Sequence, residues 1–464
     1  MVRKRWSAAG HDGEAKVRYL VRPRRSVVEE LDIPARTLSR RGRARRLETL
    51  RIKRRHDRET TAIDAMVRDY RGRVVRGGTE APLTGMHLVD ITPADADRLG
   101  RDHPGLVVLR DRALDLIRPV RRPETVPTGR PATADLWHLE RVGLGARGRR
   151  RLSATGSGVT VAVLDTGVDA SHPELAGAVR GGVRFDVDRG AVIAEPTSFD
   201  TEGHGTHVAG LICGRRVGVA PGAKVFGAIM LPGGRGMLSD FVLALEWAGQ
   251  EESVQIVNLS AGIPGWIDGM QETILDLRRV GVLPVVAVGN EGAGRTRSPG
   301  NYPHVVSVGA AAREGGVAGF SGGGRISADG RSWTVPALVA PGEQVMSAVV
   351  GGGYEAWDGT SMAAPIVAGL AALLLEAHGA GGLAVADLEG MLLESCARLD
   401  APGARQGHGL ARVHPGLVSG DALRHPPAAK PPRRATRRKG ASAGSARSPS
   451  ARSGSARQDR PGGR

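Results

Sequence analysis

Between residues 134 and 418, short apolar runs alternate with longer stretches of helical periodicity, and this alternation constrains the fold more than any other feature. Runs of four to six mostly apolar residues are typical of strands buried on both faces of a parallel sheet. The pattern predicts an α/β domain: a doubly wound, mostly parallel sheet flanked by helices. In such sheets, sites form where the strands end. The runs are Val159–Leu164, Val225–Met230, Ile256–Leu259, Pro284–Val288 and Val305–Val308.

Residues 1–120 have a different pattern and predict a separate, small α+β domain. Strands are expected at 16–21, 86–91 and 106–109, and one charged helix over 46–68. A second helix is expected to begin after Thr92, which has the features of an N-cap, with proline and aspartate following in its first turn. A Pro/Thr-rich linker is predicted over 121–133.

The net charge of +17 is concentrated at the two ends of the chain. Residues 1–60 carry a net +11 and residues 421–464 a net +10, so residues 61–420 carry −4. The segment 419–464 is rich in Pro, Ser, Gly and Arg, and its few apolar residues predict a disordered basic tail. Such a tail attracts anionic partners, so one hypothesis is that it binds nucleic acid or an anionic surface.

Composition also limits the class of protein. The two cysteines, Cys213 and Cys396, form neither a disulfide framework nor a zinc spacing, and are interpreted as small buried apolar residues. No apolar run reaches about 18 residues, so no membrane span is expected. The N-terminus lacks an apolar signal segment, which predicts a cytoplasmic protein as written; a secreted or cell-envelope protein is the alternative if the start is misassigned.

Four polar residues stand where a predicted strand ends or a helix begins. Asp165 closes the strand VAVLD, His204 stands between glycines before a small-residue helix, Asn290 follows the strand VVAVG, and Ser361 opens an apolar helix. Imidazole is a natural general base near neutral pH, and a side-chain amide can donate to a developing oxyanion. His207, three residues into the same helix as His204, is interpreted as a packing residue.

The start of the last helix is suited to nucleophilic chemistry. A helix N-terminus offers unpaired N–H groups and a positive partial charge. Ser361 there is placed to attack a carbonyl while its own N–H helps to hold the oxyanion. Pro365 lacks an N–H, so it leaves the carbonyl of Ser361 without its helical donor.

Together these residues occur in the order Asp, His, Asn, Ser, within the motifs LDTGVDASHPEL, HGTHVAG and GTSMAAP. Over about residues 134–418 the chain resembles the subtilisin-like serine peptidases, the subtilase family. The resemblance implies a serine endopeptidase that cleaves polypeptides through an acyl-enzyme. It implies Ser361 as nucleophile, His204 as general base, Asp165 as its orienting partner, and Asn290 with the Ser361 N–H as oxyanion hole.

The same resemblance assigns substrate-binding roles to the strand edge and to the residue before Asn290. The edge Ser260, Ala261 and Gly262 is expected to pair with the substrate backbone, and Gly289 to line the site. Glu291 is expected near the specificity pocket, where it would favour basic side chains; a solvated carboxylate is the alternative.

Residues 1–120 resemble the inhibitor-like propeptide that precedes many subtilases, with 36–58 as a basic insertion. The resemblance implies a zymogen whose propeptide assists folding, blocks the cleft as an intramolecular inhibitor, and is cleaved within 121–135. A permanent regulatory domain is the alternative. No cofactor is expected: residues 211–218 lack the Asn/Asp-rich insertion that binds calcium in many relatives, although calcium elsewhere stays open.

Two other kinds of protein are alternatives to the subtilisin-like peptidase. A nucleic-acid or anionic-surface binder with a relict peptidase domain fits the basic ends, but all four catalytic positions hold competent residues and no aromatic-studded basic groove is visible. A serine-carboxyl peptidase would carry glutamate in place of His204.

Overall fold

A computed structural model describes residues 15–24, 40–81, 83–121, 131–328, 330–379 and 383–419. Most of the predicted linker (122–130) and the predicted tail beyond residue 419 lie outside the described residues, as do residues 25–39. The described residues belong to one compact unit.

The N-terminal part is a four-stranded antiparallel sheet covered on one face by helices, in the strand order β2-β3-β1-β4. Thr92 caps α3, with its Oγ1 accepting from the N–H of Asp95 at 3.2 Å, so the predicted cap is confirmed. The elements are β1 (Val17–Pro23), α1 (Arg40–His56), α2 (Arg58–Asp69), β2 (Arg73–Arg76), β3 (His87–Ile91), α3 (Pro93–Asp102) and β4 (Leu106–Arg110).

The prediction of one helix over 46–68 is wrong, because the helix is interrupted at Asp57. Asp57 is extended, with φ −72° and ψ 113°, and its carboxylate accepts from the N–H of Thr60 at 3.0 Å. An aspartate that satisfies a free N–H in this way starts a new helix. Two helices result, α1 and α2.

The larger part contains an eight-stranded sheet in the order β18-β15-β13-β11-β6-β9-β7-β8, parallel except for β8. The predicted doubly wound α/β fold is confirmed. Its strands, with those outside the main sheet, are β5 (Ala113–Leu116), β6 (Thr160–Asp165), β7 (Val179–Asp186), β8 (Ala191–Glu195), β9 (Lys224–Ile229), β10 (Arg235–Met237), β11 (Val254–Leu259), β12 (Ala261–Pro264), β13 (Leu283–Ala287), β14 (Arg297–Ser298), β15 (Val306–Ala311), β16 (Gly324–Ala328), β17 (Arg331–Val335), β18 (Leu338–Pro341), β19 (Val345–Val349) and β20 (Gly353–Trp357).

Helices cover both faces of this sheet. On one face α6 and α9 pack side by side against the strands, and on the other face α7 and α8 do so. The helices are α4 (Trp137–Arg141), α5 (Ala146–Arg151), α6 (His204–Cys213), α7 (Leu238–Gln250), α8 (Gln271–Arg279), α9 (Thr360–Ala377), α10 (Val385–Glu394), α11 (Gly403–Gln406) and α12 (Gly416–Ser419), with short 3₁₀ turns at Gly78–Glu80, Thr133–Leu136, Pro173–Leu175 and Pro232–Gly234.

Helix α9 passes a length and hydropathy test for a membrane span, but 89% of it is buried inside the protein. It packs against α6 and the strands β11, β13, β15 and β18. Its apolar character is therefore that of a core helix.

The N-terminal sheet docks on α7 and α8 with the face opposite to the one that α2 and α3 cover. Leu20 and Leu88 belong to the same apolar cluster as Phe241 of α7. Polar contacts also cross this interface: Glu246 of α7 accepts from the N–H groups of residues 83 and 84, at 2.9 Å each, and Arg22 forms a buried ion pair with Asp276 of α8 at 3.0 Å.

Both cysteines are free thiols. Burial raises the pKa of Cys213 and of Cys396 to about 12, so neither is a thiolate at neutral pH. Cys213 is fully buried in α6, in agreement with the packing role expected of it.

Candidate active site

The carboxyl end of β6 and the first turn of α6 bring Asp165 and His204 together. The Nδ1 of His204 lies 2.9 Å from each carboxylate oxygen of Asp165, and both side chains are completely buried. Asp165 also accepts the N–H of Thr166 at 2.8 Å. A buried carboxylate bound to Nδ1 fixes the tautomer in which Nε2 is free to accept a proton.

An aromatic side chain that sequence reasoning missed supports this pair. Trp357, at the end of β20, stacks on His207 with ring centroids 4.1 Å apart and lies 6.1 Å from the His204 ring. The Nε2 of His207 bonds to the carbonyl of Glu355 at 3.1 Å. His207 is therefore packed behind the site, in agreement with its interpretation from the sequence.

Ser361 lies in the first turn of α9 and is fully buried. Its Oγ donates to the carbonyl oxygen of Ile117 at 2.6 Å, while the Nε2 of His204 is buried and has no hydrogen-bond partner in the described part of the chain. The hydrogen-bonded Asp165–His204 pair is thus formed, and a hydrogen bond between Ser361 and His204 is not. The Ser361 carbonyl, deprived of a helical donor by Pro365, accepts from the hydroxyl of Ser260 at 3.5 Å.

Asn290 follows β13 with its amide oriented by Thr360. Its Oδ1 accepts from the Thr360 N–H at 2.9 Å and from the Thr360 hydroxyl at 2.8 Å. These two donors identify Oδ1 as the acceptor end, so Nδ2 points into the cleft, where it donates to the Arg118 carbonyl at 2.9 Å. Stabilisation of an oxyanion requires a hydrogen-bond donor that is oriented before the negative charge develops, and Asn290 Nδ2 is oriented in this way.

The cleft is occupied by the chain itself. Strand β5 lies between β10 and β12 and pairs with both in antiparallel fashion: Asp115 opposite Arg235 and Gly262, and Leu116 opposite Ala261. The next residue, Ile117, donates its N–H to the carbonyl of Ser260 at 2.9 Å.

Beyond Ile117 the chain continues along the site. The N–H of Val120 donates to the carbonyl of Asp358 at 2.7 Å, and Arg118 forms an ion pair with Glu202, two residues before His204, at 3.3 Å. The segment therefore enters on the strand edge, passes Ser361 and leaves on the far side as an extended polypeptide.

Among the described residues, no group of three or more His, Cys, Asp or Glu side chains is placed to hold a metal ion. The site consists of protein groups: a carboxylate, an imidazole, a hydroxyl and an amide.

A buried Asp–His pair, a serine at a helix N-terminus and an oriented amide around a peptide-binding edge define a serine peptidase of the α/β class. The subtilase family profile matches residues 156–409, and the chain belongs to this family. It is a subtilisin-like serine endopeptidase.

Relatives and solved structures agree with this assignment. The chain is 37% identical to M-protease of Shouchella clausii, over 62% of this chain and 68% of that protein, and 40% identical to Subtilisin Savinase of Lederbergia lenta, over 51% and 83%. The crystal structure of fervidolysin from Fervidobacterium pennivorans, a keratinolytic enzyme, superposes with a TM-score of 0.64 at 25% identity, covering 90% of this chain and 62% of that one. A cold-adapted subtilisin-like proteinase gives 0.50 at 31% identity, covering 60% and 97%.

Proposed function

We propose that the protein hydrolyses peptide bonds with Ser361 as nucleophile, His204 as general base and Asp165 as the group that orients and stabilises the imidazolium. Ser361 Oγ attacks the substrate carbonyl carbon while His204 Nε2 takes its proton. His204 then returns the proton to the leaving amine, which leaves an acyl-enzyme on Ser361. Water, deprotonated by the same imidazole, releases the acid.

The oxyanion formed in each tetrahedral intermediate is held by the Asn290 amide and the backbone N–H of Ser361. The two hydrogen bonds from Thr360 to Asn290 support this role, because they orient the donor before the charge develops. The substrate backbone pairs with Ser260, Ala261 and Gly262, as the resident segment does, by addition of a strand to the sheet edge. Gly289 lines the same site beside Asn290.

The N-terminal unit acts as an intramolecular inhibitor, and the chain is a zymogen. The observation that carries this proposal is the path of residues 113–118 through the cleft, with the Ile117 carbonyl on Ser361 Oγ. This arrangement is not the one in which the bond is cleaved. Ser361 donates to the carbonyl oxygen of Ile117, and the Asn290 amide binds the next carbonyl, that of Arg118. A shift that brings the Ile117 carbonyl to Asn290 makes Ile117–Arg118 the bond to be cleaved, upstream of the 121–135 interval expected from the sequence.

A fluorophosphonate probe tests the catalytic assignment. After release of the N-terminal unit, the wild-type chain is expected to be labelled at Ser361 and to hydrolyse a denatured protein substrate. Ser361→Ala should do neither. Ser395→Ala, which removes a buried hydroxyl at the end of α10, is the matched control and should retain both. Equal labelling of Ser361→Ala would contradict the proposal.

We also propose that the basic tail holds the enzyme to an anionic surface or nucleic acid. Its net charge of +10 over 421–464 supports this. Binding to DNA and to anionic vesicles, with and without residues 421–464, should fall steeply with salt only when the tail is present. A flat salt response would rule out electrostatic tethering.

A further inference from the structure

A cavity of about 580 Å³ lies near the start of the larger part, and it shares no residue with the cleft. Its walls are α4, the turn that follows, α5 and the loop after α6, and no described residue before Thr133 lines it. Its residues Leu139 and Leu144 belong to the apolar cluster on the α6 and α9 face of the sheet, whereas the N-terminal unit docks on the α7 and α8 face. The N-terminal unit therefore leaves this cavity open.

Arginine dominates the charge of the cavity. Arg147 and Arg149 of α5 and Arg216 of the facing loop line it, against the single carboxylate of Glu140. Residues 61–420 carry a net charge of −4, so this concentration of positive charge is local. A concave site lined by charges of one sign attracts ligands of the opposite sign. The cavity is therefore suited to an anionic ligand.

Hydrogen bonds fix the two walls of the cavity relative to each other. The Arg149 guanidinium donates to the carbonyl of Gly218, which connects α5 to the loop after α6. In the same loop, the N–H of Arg216 donates to the buried carboxylate of Glu174 at 2.7 Å. The wall that carries the Arg216 side chain is therefore held in place by the protein itself, before any ligand binds.

Apolar side chains complete the lining and indicate the class of ligand. Leu136 lines the cavity beside Leu139 and Leu144, and it is only partly buried. None of the described lining residues is aromatic, so a nucleic-acid base finds no side chain on which to stack. A phosphodiester backbone has no aliphatic side chain to bury on leucine. An acidic polypeptide segment offers carboxylates and aliphatic side chains together, and so fits this mixed lining better.

We propose that this arginine-lined cavity is a second docking site of the peptidase, for acidic segments of polypeptide substrates that also carry aliphatic side chains. Carboxylates of the segment pair with Arg147 and Arg216, and an aliphatic side chain packs on Leu136. Docking there raises the effective concentration of the bond to be cleaved at the cleft, and leaves the chemical step unchanged. The inference rests on the proposed peptidase function and specifies the class of polypeptide that the enzyme favours.

Binding is measured by fluorescence anisotropy on full-length Ser361→Ala, in which the proposed nucleophile is removed. The probe is a short labelled peptide of Asp, Glu and Leu, and a second peptide has Ser in place of each Leu. The cavity variant, Arg147→Gln with Arg216→Gln, should bind the probe at least about tenfold more weakly, because hydrogen bonds to charged groups are lost. The Ser peptide should also bind more weakly than the probe, because it buries no aliphatic group.

The matched control is Arg189→Gln with Arg325→Gln, which removes the same charge from two exposed arginines outside the cavity. It should bind the probe as the parent chain does, and the basic tail contributes equally in every variant. Three results would overturn the inference: an equal loss in the cavity and control variants, equal binding of the Ser peptide, or an equal loss of affinity for single-stranded DNA of matched charge in the cavity variant. The last result would indicate a nucleic-acid site.

Kinetics of the mature enzyme separate docking from catalysis. Two substrates share one cleavage sequence, and one of them also carries the acidic, leucine-containing segment, joined through Gly/Ser linkers of increasing length. At the best linker length, the wild type should have a KM at least about tenfold lower for the longer substrate, with unchanged kcat. The cavity variant should lose this difference and cleave the short substrate normally. If the peptidase proposal fails, neither substrate is cleaved although the probe still binds; if docking fails, both substrates are cleaved alike.

Discussion

The Ser361 hydroxyl donates its hydrogen bond to the Ile117 carbonyl at 2.6 Å, and the Nε2 of His204 has no hydrogen-bond partner within the described residues. The proposed nucleophile is thus engaged by the chain's own N-terminal segment. The Asp165–His204 pair is already formed, so the hydrogen bond between Ser361 and His204 is the contact that the proposed triad still lacks.

Loss of the Asn290 amide should slow catalysis with little effect on substrate affinity. Asn290→Ala removes a donor to the oxyanion, and the expected loss in kcat is about 10²–10³, the magnitude known for the corresponding donor in subtilisin. KM should change little, because the bond strengthens only in the transition state. Steady-state kinetics on the mature enzyme measures both, and a change confined to KM would contradict the assigned role.

Asp165→Asn should leave the fold intact and lower kcat by about 10⁴, because an amide at Nδ1 favours the wrong tautomer of His204. Asp186→Asn, in β7 away from the site, serves as the control and should keep wild-type activity. Retention of activity in Asp165→Asn would contradict the role of Asp165 as the group that orients His204.

Docking of the N-terminal unit should depend on Arg43 of α1. Its guanidinium is buried and donates to carbonyls of Glu251, Val254 and Gly281, which lie just beyond the C-terminal ends of α7 and α8. Burial lowers the pKa of Arg43 to about 10, so it stays charged at neutral pH. Loss of hydrogen bonds to a charged group costs roughly 1.5–3 kcal/mol, so Arg43→Ala should weaken retention of the cleaved unit by about 10–150-fold.

Gel filtration of the self-processed protein measures this retention. The control is Arg45→Ala, two residues along the same helix, where the side chain is exposed. Arg45→Ala should co-elute with its N-terminal fragment as the wild type does. If Arg43→Ala does the same at every dilution, the Arg43 side chain contributes nothing measurable to docking.

The stability of the folded chain should also respond to pH, through Asp240 near the N-terminus of α7. Burial raises the pKa of Asp240 to about 6, and the nearby Asp111 carboxylate adds to this. Burial likewise raises the pKa of Asp111. Both line a cavity with other charged groups, Arg18, Arg184, Asp186 and Asp188.

Between about pH 4 and 6 the folded Asp240 keeps a proton that the unfolded chain has lost. The contribution of this group to the free energy of unfolding therefore falls as pH rises through that window, and is constant above it. Urea unfolding of Ser361→Ala, which prevents self-digestion, should lose more stability from pH 4.5 to 7 than the same chain carrying Asp240→Asn. Asp97→Asn, at an exposed position, should behave like the parent, and identical losses in all three would contradict the prediction.

The sequence predicted the parts of the site that depend on local pattern. Asp165, His204, Asn290 and Ser361 each stand at a strand end or helix start, and the topology of a parallel sheet brings such ends to one edge. The N-cap at Thr92 was predictable for the same reason, because a cap is decided within four residues.

What was missed depends on partners far apart in the chain. Strand β5 is four residues long, and its partners β10 and β12 lie more than 100 residues away, so nothing local indicates it. The ion pair between Glu291 and Arg297 was missed because it depends on the course of the loop that joins them, which no local pattern fixes. The role of Thr360 in orienting Asn290 could have been inferred, because Thr360 directly precedes Ser361 in the motif GTSMAAP and therefore lies beside the proposed oxyanion hole.

The most direct test of the zymogen proposal is the N-terminal sequence of the chain that self-processing produces. Full-length protein, purified and incubated, should yield a fragment that begins at Arg118, with an intact mass that matches, while Ser361→Ala should stay full length under the same conditions. A wild-type chain that remains uncut, a new N-terminus within 121–135, or the same cleavage in Ser361→Ala would contradict the account in which Ser361 cleaves the segment that now occupies its cleft.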